Sequence, residues 1–304
     1  MGSEHSHGHN HGSALARSGE AAKRPLSIAL AITLVTLVVQ VSVGITSGSL
    51  SLLTDGAHLL TDVGGIVLAL AAVTLASRPT RSERTFGFYR LEVISALANG
   101  ALLVLVAIWA IVEAVGRIQD PPDVPGLPVL LVGALGLMAN LVALRLLSDG
   151  GSLAAEGARL EVLADAVGSV GVVIGGALIM LTDKPVIDAW IGLAIGVWIV
   201  PRAVRLAWEA LQILLQQAPS HVDLQEITLA LESVPDVVDV HDLHVWTLTT
   251  DMDVLTAHLM VGEHADHHGV LDQAREVLAE SHGIHHATLQ VEPETHSGCE
   301  QVDW

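Results

Sequence analysis

Residues 50–75 read LSLLTDGAHLLTDVGGIVLALAAVTL, an apolar stretch that contains three ionisable side chains. Crossing the hydrocarbon core of a bilayer takes about 20 helical residues, so this stretch is long enough to span a membrane. Asp55, His58 and Asp62 follow one another at spacings of three and four, which place them on nearly the same face of a helix. Ionisable groups inside a span are costly and usually mark a function. The stretch therefore predicts a membrane helix with one polar, functional face.

Five further apolar stretches of similar length accompany this one, and segments rich in Gly, Pro, Ser and Asp separate them. A hydrophobic content of 51% and a mean hydropathy of +0.55 are too high for an ordinary soluble domain. The sequence thus predicts a bundle of six membrane helices, at Leu26–Ile45, Leu50–Leu75, Leu91–Val115, Leu127–Leu147, Leu160–Leu181 and Ile187–Leu211.

The basic residues set the expected orientation. With six spans both ends of the chain lie on one side, and most Lys and Arg residues fall on that side, whereas only Arg117 and Lys184 fall on the other. Positive charge collects on the cytoplasmic side of membrane proteins. We therefore expect a multi-pass protein of the inner (plasma) membrane with both termini in the cytoplasm. Because 33 acidic residues outnumber 14 Lys and Arg, no nucleic-acid partner is expected.

Polar segments flank the six spans. Residues 1–24 form a polar, His-rich stretch for which we expect a disordered cytoplasmic tail. Its four alternating histidines either capture metal weakly, or have no defined site, or are left from a purification tag; they are His5, His7, His9 and His11. Residues 25–211 form the predicted transmembrane domain. Residues 212–304 form a predicted cytoplasmic domain for metal binding, regulation and dimerisation.

The cytoplasmic part predicts a small α+β domain. Pro219 ends the last membrane helix, and Asp223 or Ser220 can cap the helix that follows. Runs rich in β-branched residues indicate strands, and polar amphipathic runs indicate helices. The expected order is α-β-β-α-β, with elements at Val222–Val234, Val237–Thr249, Val254–Val261, His268–Ser281 and Ala287–Glu292.

A second pair of candidate ligands lies in the fifth span, where Glu161 and Asp165 are four residues apart. Together with His58 and Asp62 they offer two ligands from each of two helices, a set that suits tetrahedral zinc. Two other interpretations remain. A single membrane histidine can serve as a hydrogen-bonding group between helices, and carboxylates near a span end can reach the interface. Glu161 is the nearest of the four to the cytoplasmic end of its span. The role of Asp55 stays open.

These motifs together identify the chain as similar to the cation diffusion facilitator family. The resemblance covers nearly the whole chain and rests on the His-rich tail, the six spans and four motifs, at His58–Asp62, Glu161–Asp165, Arg84–Glu92 and His241–Trp246. It implies a homodimer that exchanges cytoplasmic metal for external protons, with a metallochaperone-like cytoplasmic domain that binds further metal at the dimer contact. The residues implied are His58, Asp62, Glu161 and Asp165 for transport, and His241, His258, His285 and Glu292 in the cytoplasmic domain.

One position departs from the family pattern. Zinc-transporting relatives usually carry His where this chain has Glu161, so the site here holds three carboxylates. Around a divalent ion they leave a net negative charge unless one acid keeps its proton. Oxygen donors also favour harder ions such as Mn²⁺. Our hypothesis is that Glu161 either broadens selectivity or binds an additional exchanged proton.

The remaining cytoplasmic candidates have weaker support. His244 lies three residues after His241, so a regular strand points it to the opposite face, where it would be a packing residue. His264, His267 and His268 are expected on the solvated surface. Cys299, the only cysteine, can add a soft ligand near the C-terminus.

These observations predict proton-coupled efflux of divalent transition-metal ions by alternating access. Zn²⁺ is the expected principal substrate, and Cd²⁺, Co²⁺ and Mn²⁺ are other candidates. Zn²⁺ is also the expected regulatory ion, and no organic cofactor is expected. Gly64, Gly65, Gly168, Gly171 and Gly175 would allow helices to approach one another and slide. An intramembrane zinc enzyme would need a motif such as His-Glu-x-x-His, which this sequence lacks, so no enzymatic activity is expected. A membrane-anchored metal sensor and a passive channel remain alternatives.

Overall fold

The computed structural model describes residues 11–76, 85–147, 153–249 and 252–295, and within them side chains other than those of residues 11–27, 29, 66, 69–76, 147 and 153–158. Six long helices come first, followed by a small domain of two helices and three strands. The elements in chain order are α1 His11–Ser47, α2 Leu50–Ala76, α3 Arg90–Gln119, α4 Gly126–Leu147, α5 Leu153–Thr182, α6 Val186–Leu214, α7 Leu224–Glu232, β1 Val237–Thr249, β2 Met252–Val261, α8 His267–His282 and β3 His286–Pro293.

This element order confirms the predicted fold class. Within the described residues, five helices contain segments long and apolar enough to cross a membrane, in α1, α3, α4, α5 and α6. The remaining long helix, α2, runs for 27 residues over the predicted second span. The expected α-β-β-α-β order of the cytoplasmic domain is also observed.

The N-terminal tail differs from the expectation of disorder, because α1 begins at His11. Residues 14–22 are rich in Ala, Leu, Arg and Glu, which are among the strongest helix formers. Polarity alone therefore misjudged residues 11–24. His5, His7 and His9 lie outside the described residues.

Contacts divide the chain into two units whose boundaries fall inside α2, α3 and α6. One unit comprises Met1–Val67 with Asn99–Arg205, and the other comprises Leu68–Ala98 with Leu206–Trp304. The second unit thus joins a segment around the start of α3 to the small domain. Within it, Thr249 at the end of β1 donates a hydrogen bond to Glu92, and the rings of Phe86 and His286 meet edge to face at 6.1 Å. The sequence-based division at residues 24 and 211 stays a prediction.

In the first unit, glycines bring the helices into close contact. A Cβ atom built on Gly176 of α5 would lie 2.5 Å from the backbone nitrogen of Leu130 in α4, and one on Gly133 of α4 would lie 2.8 Å from Val172 in α5. Such small-residue contacts are the usual way membrane helices pack. Of the glycines expected to permit helix approach, those at 65, 168 and 175 have close neighbours, whereas positions 64 and 171 have space around them.

The turn between α1 and α2 is held by a carboxylate from α6. Asp188 is buried and accepts hydrogen bonds from Ser49 Oγ at 2.7 Å, from Leu50 N at 2.5 Å and from Ser51 Oγ at 2.5 Å. The first backbone N–H groups of a helix lack partners within the helix and carry partial positive charge. Asp188 therefore caps α2 from a neighbouring helix and fixes the start of the helix that carries His58.

The small domain packs two helices on one face of its sheet. The strand order is β1-β2-β3, with β1 and β2 antiparallel and β2 and β3 parallel. Apolar side chains of α7, α8 and one sheet face form the core, including Ile227, Leu231, Leu255, Leu259 and Leu278. Asp223, rather than Ser220, caps α7 by accepting from the backbone N–H groups of residues 225 and 226.

Candidate metal centres

Helices α2 and α5 bring one histidine and two carboxylates together inside the first unit. His58 Nε2 lies 3.1 Å from Asp165 Oδ1, and His58 Nδ1 lies 3.7 Å from Asp62 Oδ1. One potential ligand atom from each of the three residues lies within 4.8 Å of the other two. His58 and Asp165 are buried, with relative exposures of 4% and 7%. The membrane cluster, defined as His58, Asp62 and Asp165, thus unites the two helices as expected.

The donor atoms of the membrane cluster are close enough together to share one small cation. Donors about 2.1 Å from a tetrahedral zinc ion lie about 3.4 Å from one another. The 3.1 Å and 3.7 Å contacts run to different ring nitrogens of His58, only one of which can bind a given ion, but one nitrogen and one oxygen of each aspartate lie within 4.8 Å of one another. Among the described residues, no hydrogen bond of normal geometry reaches either ring nitrogen of His58, Asp62 Oδ2 or Asp165 Oδ1. The 3.1 Å contact of His58 with Asp165 is therefore close in distance but poorly directed. Buried polar atoms normally have partners, and a bound cation would supply one.

Glu161 does not join the membrane cluster. Its Oε1 accepts a hydrogen bond from Arg202 Nη2 of α6 at 3.0 Å, and its side chain is 54% exposed. Arg202 also reaches inward, since its Nη1 lies 3.8 Å from Asp165 Oδ1. Of the four residues expected as transport ligands, the structure brings three together and pairs the fourth with an arginine. Spacing along α5 indicated a shared face, but Arg202 comes from another helix and was not expected at the site.

Asp55 also lies outside the membrane cluster. It is buried, with 3% exposure, and its Oδ2 accepts a hydrogen bond from Gln40 Nε2 of α1 at 2.7 Å. Gly168 makes room for it, because a Cβ atom there would lie 3.3 Å from Asp55 Oδ1. The position on the shared face of α2 is as expected, but its observed partner is an amide from α1.

A second group of ligands lies in the small domain, on the sheet face opposite the helices. His241 of β1 is paired with His258 of β2, and their rings meet at 5.3 Å. Glu292 of β3 lies 2.9 Å from His258 Nδ1 and 4.0 Å from His241 Nε2. The cytoplasmic cluster, defined as His241, His258 and Glu292, has one atom of each residue within 4.8 Å of the others. His285 is exposed, just before β3, and is not part of this group.

Each histidine of the cytoplasmic cluster has an aspartate on its outer side. His241 Nδ1 lies 3.1 Å from Asp239 Oδ2, and His258 Nε2 lies 3.8 Å from Asp242 Oδ2. The inner nitrogens, His241 Nε2 and His258 Nδ1, make no hydrogen bond of normal geometry with any described residue. A carboxylate hydrogen-bonded to the outer nitrogen, as Asp239 is, orients a histidine ligand and raises its basicity; Asp242 is too far from His258 for a hydrogen bond and acts on it through its charge alone. Sequence reasoning missed both aspartates, although the run Asp239-Val240-His241-Asp242 displays them.

The expectation that His244 faces away from His241 is wrong. The pairing of β1 with β2 shifts between these residues, because His241 pairs with His258 and His244 pairs with Thr256. Two residues of β1 therefore lie opposite a single residue of β2, which is a β-bulge, and Asp242 within it has a φ of 52°. The extra residue returns His244 to the face of His241. His244 is exposed and contacts Asp242 at 2.9 Å, so it is not a packing residue.

The other candidates are solvent-exposed or not described. His264, His267 and His268 are exposed, as expected for surface histidines, and His268 lies 3.6 Å from Asp272. Cys299 lies outside the described residues.

Comparisons with known proteins agree with this architecture. The family model for the cation efflux transmembrane domain matches residues 26–215, and that for the cytoplasmic domain of cation efflux proteins matches residues 219–294. The chain is similar to the metal cation efflux system protein CzcD of Cupriavidus metallidurans, with 39% identity over all of this chain and 93% of the relative. It is also similar to the zinc transporter ZitB of Escherichia coli, with 34% identity over 94% of this chain and 92% of the relative.

The chain is also similar to a third transporter and to a solved structure of a cytoplasmic domain. The cadmium, cobalt and zinc/H(+)-K(+) antiporter of Bacillus subtilis is 29% identical over 95% of this chain and 93% of its own length. A solved structure of the metal-bound C-terminal domain of the CzcD transporter matches 23% of this chain and 99% of that structure, with 35% identity and a TM-score of 0.23. With both family models matched and relatives aligned along nearly its whole length, the chain belongs to the zinc-type branch of the cation diffusion facilitator family, whose members are metal-cation efflux transporters and not enzymes.

Proposed function

We propose that this protein exports divalent transition-metal ions from the cytoplasm in exchange for protons, with Zn²⁺ as the principal substrate. Cd²⁺, Co²⁺ and Mn²⁺ are further candidate substrates. The names of the relatives, which include zinc, cadmium and cobalt transport and proton antiport, support this choice. The observation that carries the proposal is the membrane cluster, where nitrogen and oxygen donors from two helices converge in a buried position.

The chemistry of the membrane cluster couples metal to protons. Imidazole and carboxylate groups must lose their protons before they bind a metal ion, so metal and protons compete for the same atoms. His58 is suited to this exchange because imidazole ordinarily titrates near neutral pH. Metal would bind from the cytoplasmic side, and external protons would displace it after the site has opened outward. Glu161 stays a predicted fourth ligand, and it would have to leave Arg202 to reach the ion.

The cytoplasmic cluster would bind a regulatory zinc ion. Two imidazoles and one carboxylate match the ligand preference of zinc, and the inner nitrogens of His241 and His258 lack hydrogen bonds of normal geometry among the described residues. Zinc would hold the three strands at a fixed spacing. His285 stays a predicted ligand at the dimer contact, where its exposure leaves it accessible. The homodimer is part of this proposal, and the match to the cytoplasmic domain of the family supports it.

The proposed location is the inner (plasma) membrane, with both termini in the cytoplasm. The bias of basic residues supports this orientation. It places the acidic small domain on the side from which metal is taken up.

Metal flux into proteoliposomes tests the proposed function. Purified protein is reconstituted, and Zn²⁺ entry is followed with an internal indicator, with and without an imposed pH gradient. We expect flux that increases when the compartment receiving the metal is acidic and that stops in Asp165→Ala. Flux that ignores the pH gradient would indicate a channel. Binding without flux in the wild type would indicate a membrane-anchored sensor.

A further inference from the structure

Arg202 places a permanent positive charge at the edge of the membrane cluster. It extends from α6 with Nη2 bonded to Glu161 at 3.0 Å and Nη1 3.8 Å from Asp165 Oδ1. A guanidinium group does not lose its proton in proteins, so this charge persists throughout any transport cycle. Arg202 thus lies between Glu161, which is outside the membrane cluster, and Asp165, which belongs to it.

Counted over the four predicted transport ligands, the charges balance a divalent ion only if Arg202 is included; Asp55, which is bonded to Gln40, is not among these ligands. Asp62, Glu161 and Asp165 contribute three negative charges when ionised, and neutral His58 contributes none. Arg202 cancels one of them. The two negative charges that remain equal the charge of one divalent cation. Charges buried away from water are costly unless they are compensated nearby, so this balance favours binding of a doubly charged ion without an additional proton.

We propose that Arg202 and Glu161 act as one unit that sets the metal affinity of the membrane cluster. Arg202 holds Glu161 away from the ion and competes with the ion for Asp165. It therefore keeps binding weak enough for release. Glu161 in turn restrains Arg202, because its carboxylate holds one end of the guanidinium group. This inference rests on the proposed function, since it assigns a role at the same site.

The competition has a clear physical direction. A cation bound by Asp165 would lie close to the guanidinium group, and like charges a few ångströms apart repel each other. Entry of the metal would push Arg202 away from Asp165. Without Glu161, Arg202 would be free to move fully onto Asp165. Removing Arg202 should therefore strengthen binding, and removing Glu161 should weaken it.

Equilibrium zinc binding by the full-length protein in detergent tests this unit. All proteins carry the membrane-site background, which removes the N-terminal histidines and the predicted cytoplasmic histidine ligands by alanine substitution at His5, His7, His9, His11, His241, His258 and His285. The variants are Arg202→Gln, Glu161→Gln, the double variant and the charge-preserving control Arg202→Lys. The melting temperature of each metal-free variant is measured alongside binding, so that loss of folding is recognised.

We expect Arg202→Gln to tighten zinc binding by about tenfold or more and Glu161→Gln to weaken it by a similar factor, because each change alters the site by one charge. The double variant restores two net negative charges and should bind within about threefold of the background protein. Arg202→Lys should also stay near the background value.

The outcomes separate this inference from the proposed function. Unchanged or weakened binding in a folded Arg202→Gln protein would overturn the role of Arg202, while zinc binding in the background protein would leave the proposed function intact. The role of Arg202 would also be overturned if both single variants lost zinc affinity equally and the double variant showed the sum of the two losses. Absence of zinc binding in the folded background protein would contradict the proposed function itself.

Discussion

His58 Nε2 lies 3.1 Å from Asp165 Oδ1, so an imidazole from α2 and a carboxylate from α5 meet in a buried position. Asp62, one turn further along α2, adds its carboxylate on the other side of the imidazole at 3.7 Å. The contact joins two elements far apart in the chain, so that the pair on α2 and one residue of the pair on α5 form a common site. Because the ionisable groups face one another rather than lipid, the contact reduces the free-energy cost of placing them in apolar helices.

The contact gives the first prediction. His58→Ala and Asp165→Asn each remove a direct ligand, so zinc affinity should fall by more than the roughly 10- to 100-fold that loss of an outer-shell partner costs. Zinc titration in the membrane-site background measures the effect. Asp183→Asn is the control, because Asp183 lies in the turn after α5 and Asn tolerates its positive φ. Unchanged affinity in either folded cluster variant would remove that residue from the site.

The partner of Asp55 gives a second prediction. Because Gln40 donates to this carboxylate, an asparagine can keep the hydrogen bond while losing the charge. We expect Asp55→Asn to lower zinc affinity by about tenfold at most, and by much less than Asp165→Asn does, because it removes one nearby charge but no ligand. Zinc titration in the membrane-site background measures this change. A loss of affinity as large as that of Asp165→Asn would indicate that Asp55 is a ligand.

The outer aspartates of the cytoplasmic cluster give a third prediction. Asp239→Asn leaves the three ligands in place but weakens the hydrogen bond that orients His241, so it should lower zinc affinity at this cluster by about 10- to 100-fold. Asp242→Asn removes a charge 3.8 Å from His258 and should lower it by less. The measurement uses full-length protein with His58→Ala and with alanine at His5, His7, His9 and His11. Asp272→Asn is the matched control, since Asp272 contacts only the exposed His268 among the ion pairs described. Equal affinity in all three aspartate variants would mean that Asp239 and Asp242 do not support the site.

Asp188 gives a fourth prediction, on stability. Its carboxylate accepts from the hydroxyl groups of Ser49 and Ser51 and from the first backbone N–H of α2. Hydrogen bonds to charged groups contribute about 1.5–3 kcal/mol each, so Asp188→Asn should lower the melting temperature by at least about 5 °C for a chain of this size. Thermal unfolding in detergent measures this, with Asp183→Asn again as control. A melting temperature equal to that of the control would show that the cap contributes little.

Most of the fold could be predicted from the sequence, because the patterns that indicate helices and strands lie within short stretches of the chain. Apolar length determined the membrane helices, and Asp223 and the β-branched runs marked the elements of the small domain. The sequence predicted that His58, Asp62 and Asp165 lie together, because all three stand out against apolar neighbours, and the structure brings them within reach of one another.

The rest depended on contacts between distant residues. Spacing along α5 could not reveal that Arg202 of α6 holds Glu161. Strand periodicity misplaced His244, since a single extra residue in β1 reverses which face later side chains occupy. The exposure of His285 likewise depends on how the chain leaves α8 for β3.

Zinc K-edge X-ray absorption of the full-length protein in the membrane-site background tests most directly whether α2 and α5 share one ion. We expect one bound zinc with nitrogen and oxygen neighbours at about 2.0–2.2 Å and the scattering of one imidazole. That imidazole signal should disappear in His58→Ala, and Asp165→Asn should lose most of the bound zinc. An imidazole signal that persists in folded His58→Ala protein, or zinc retained in full by both variants, would contradict the account.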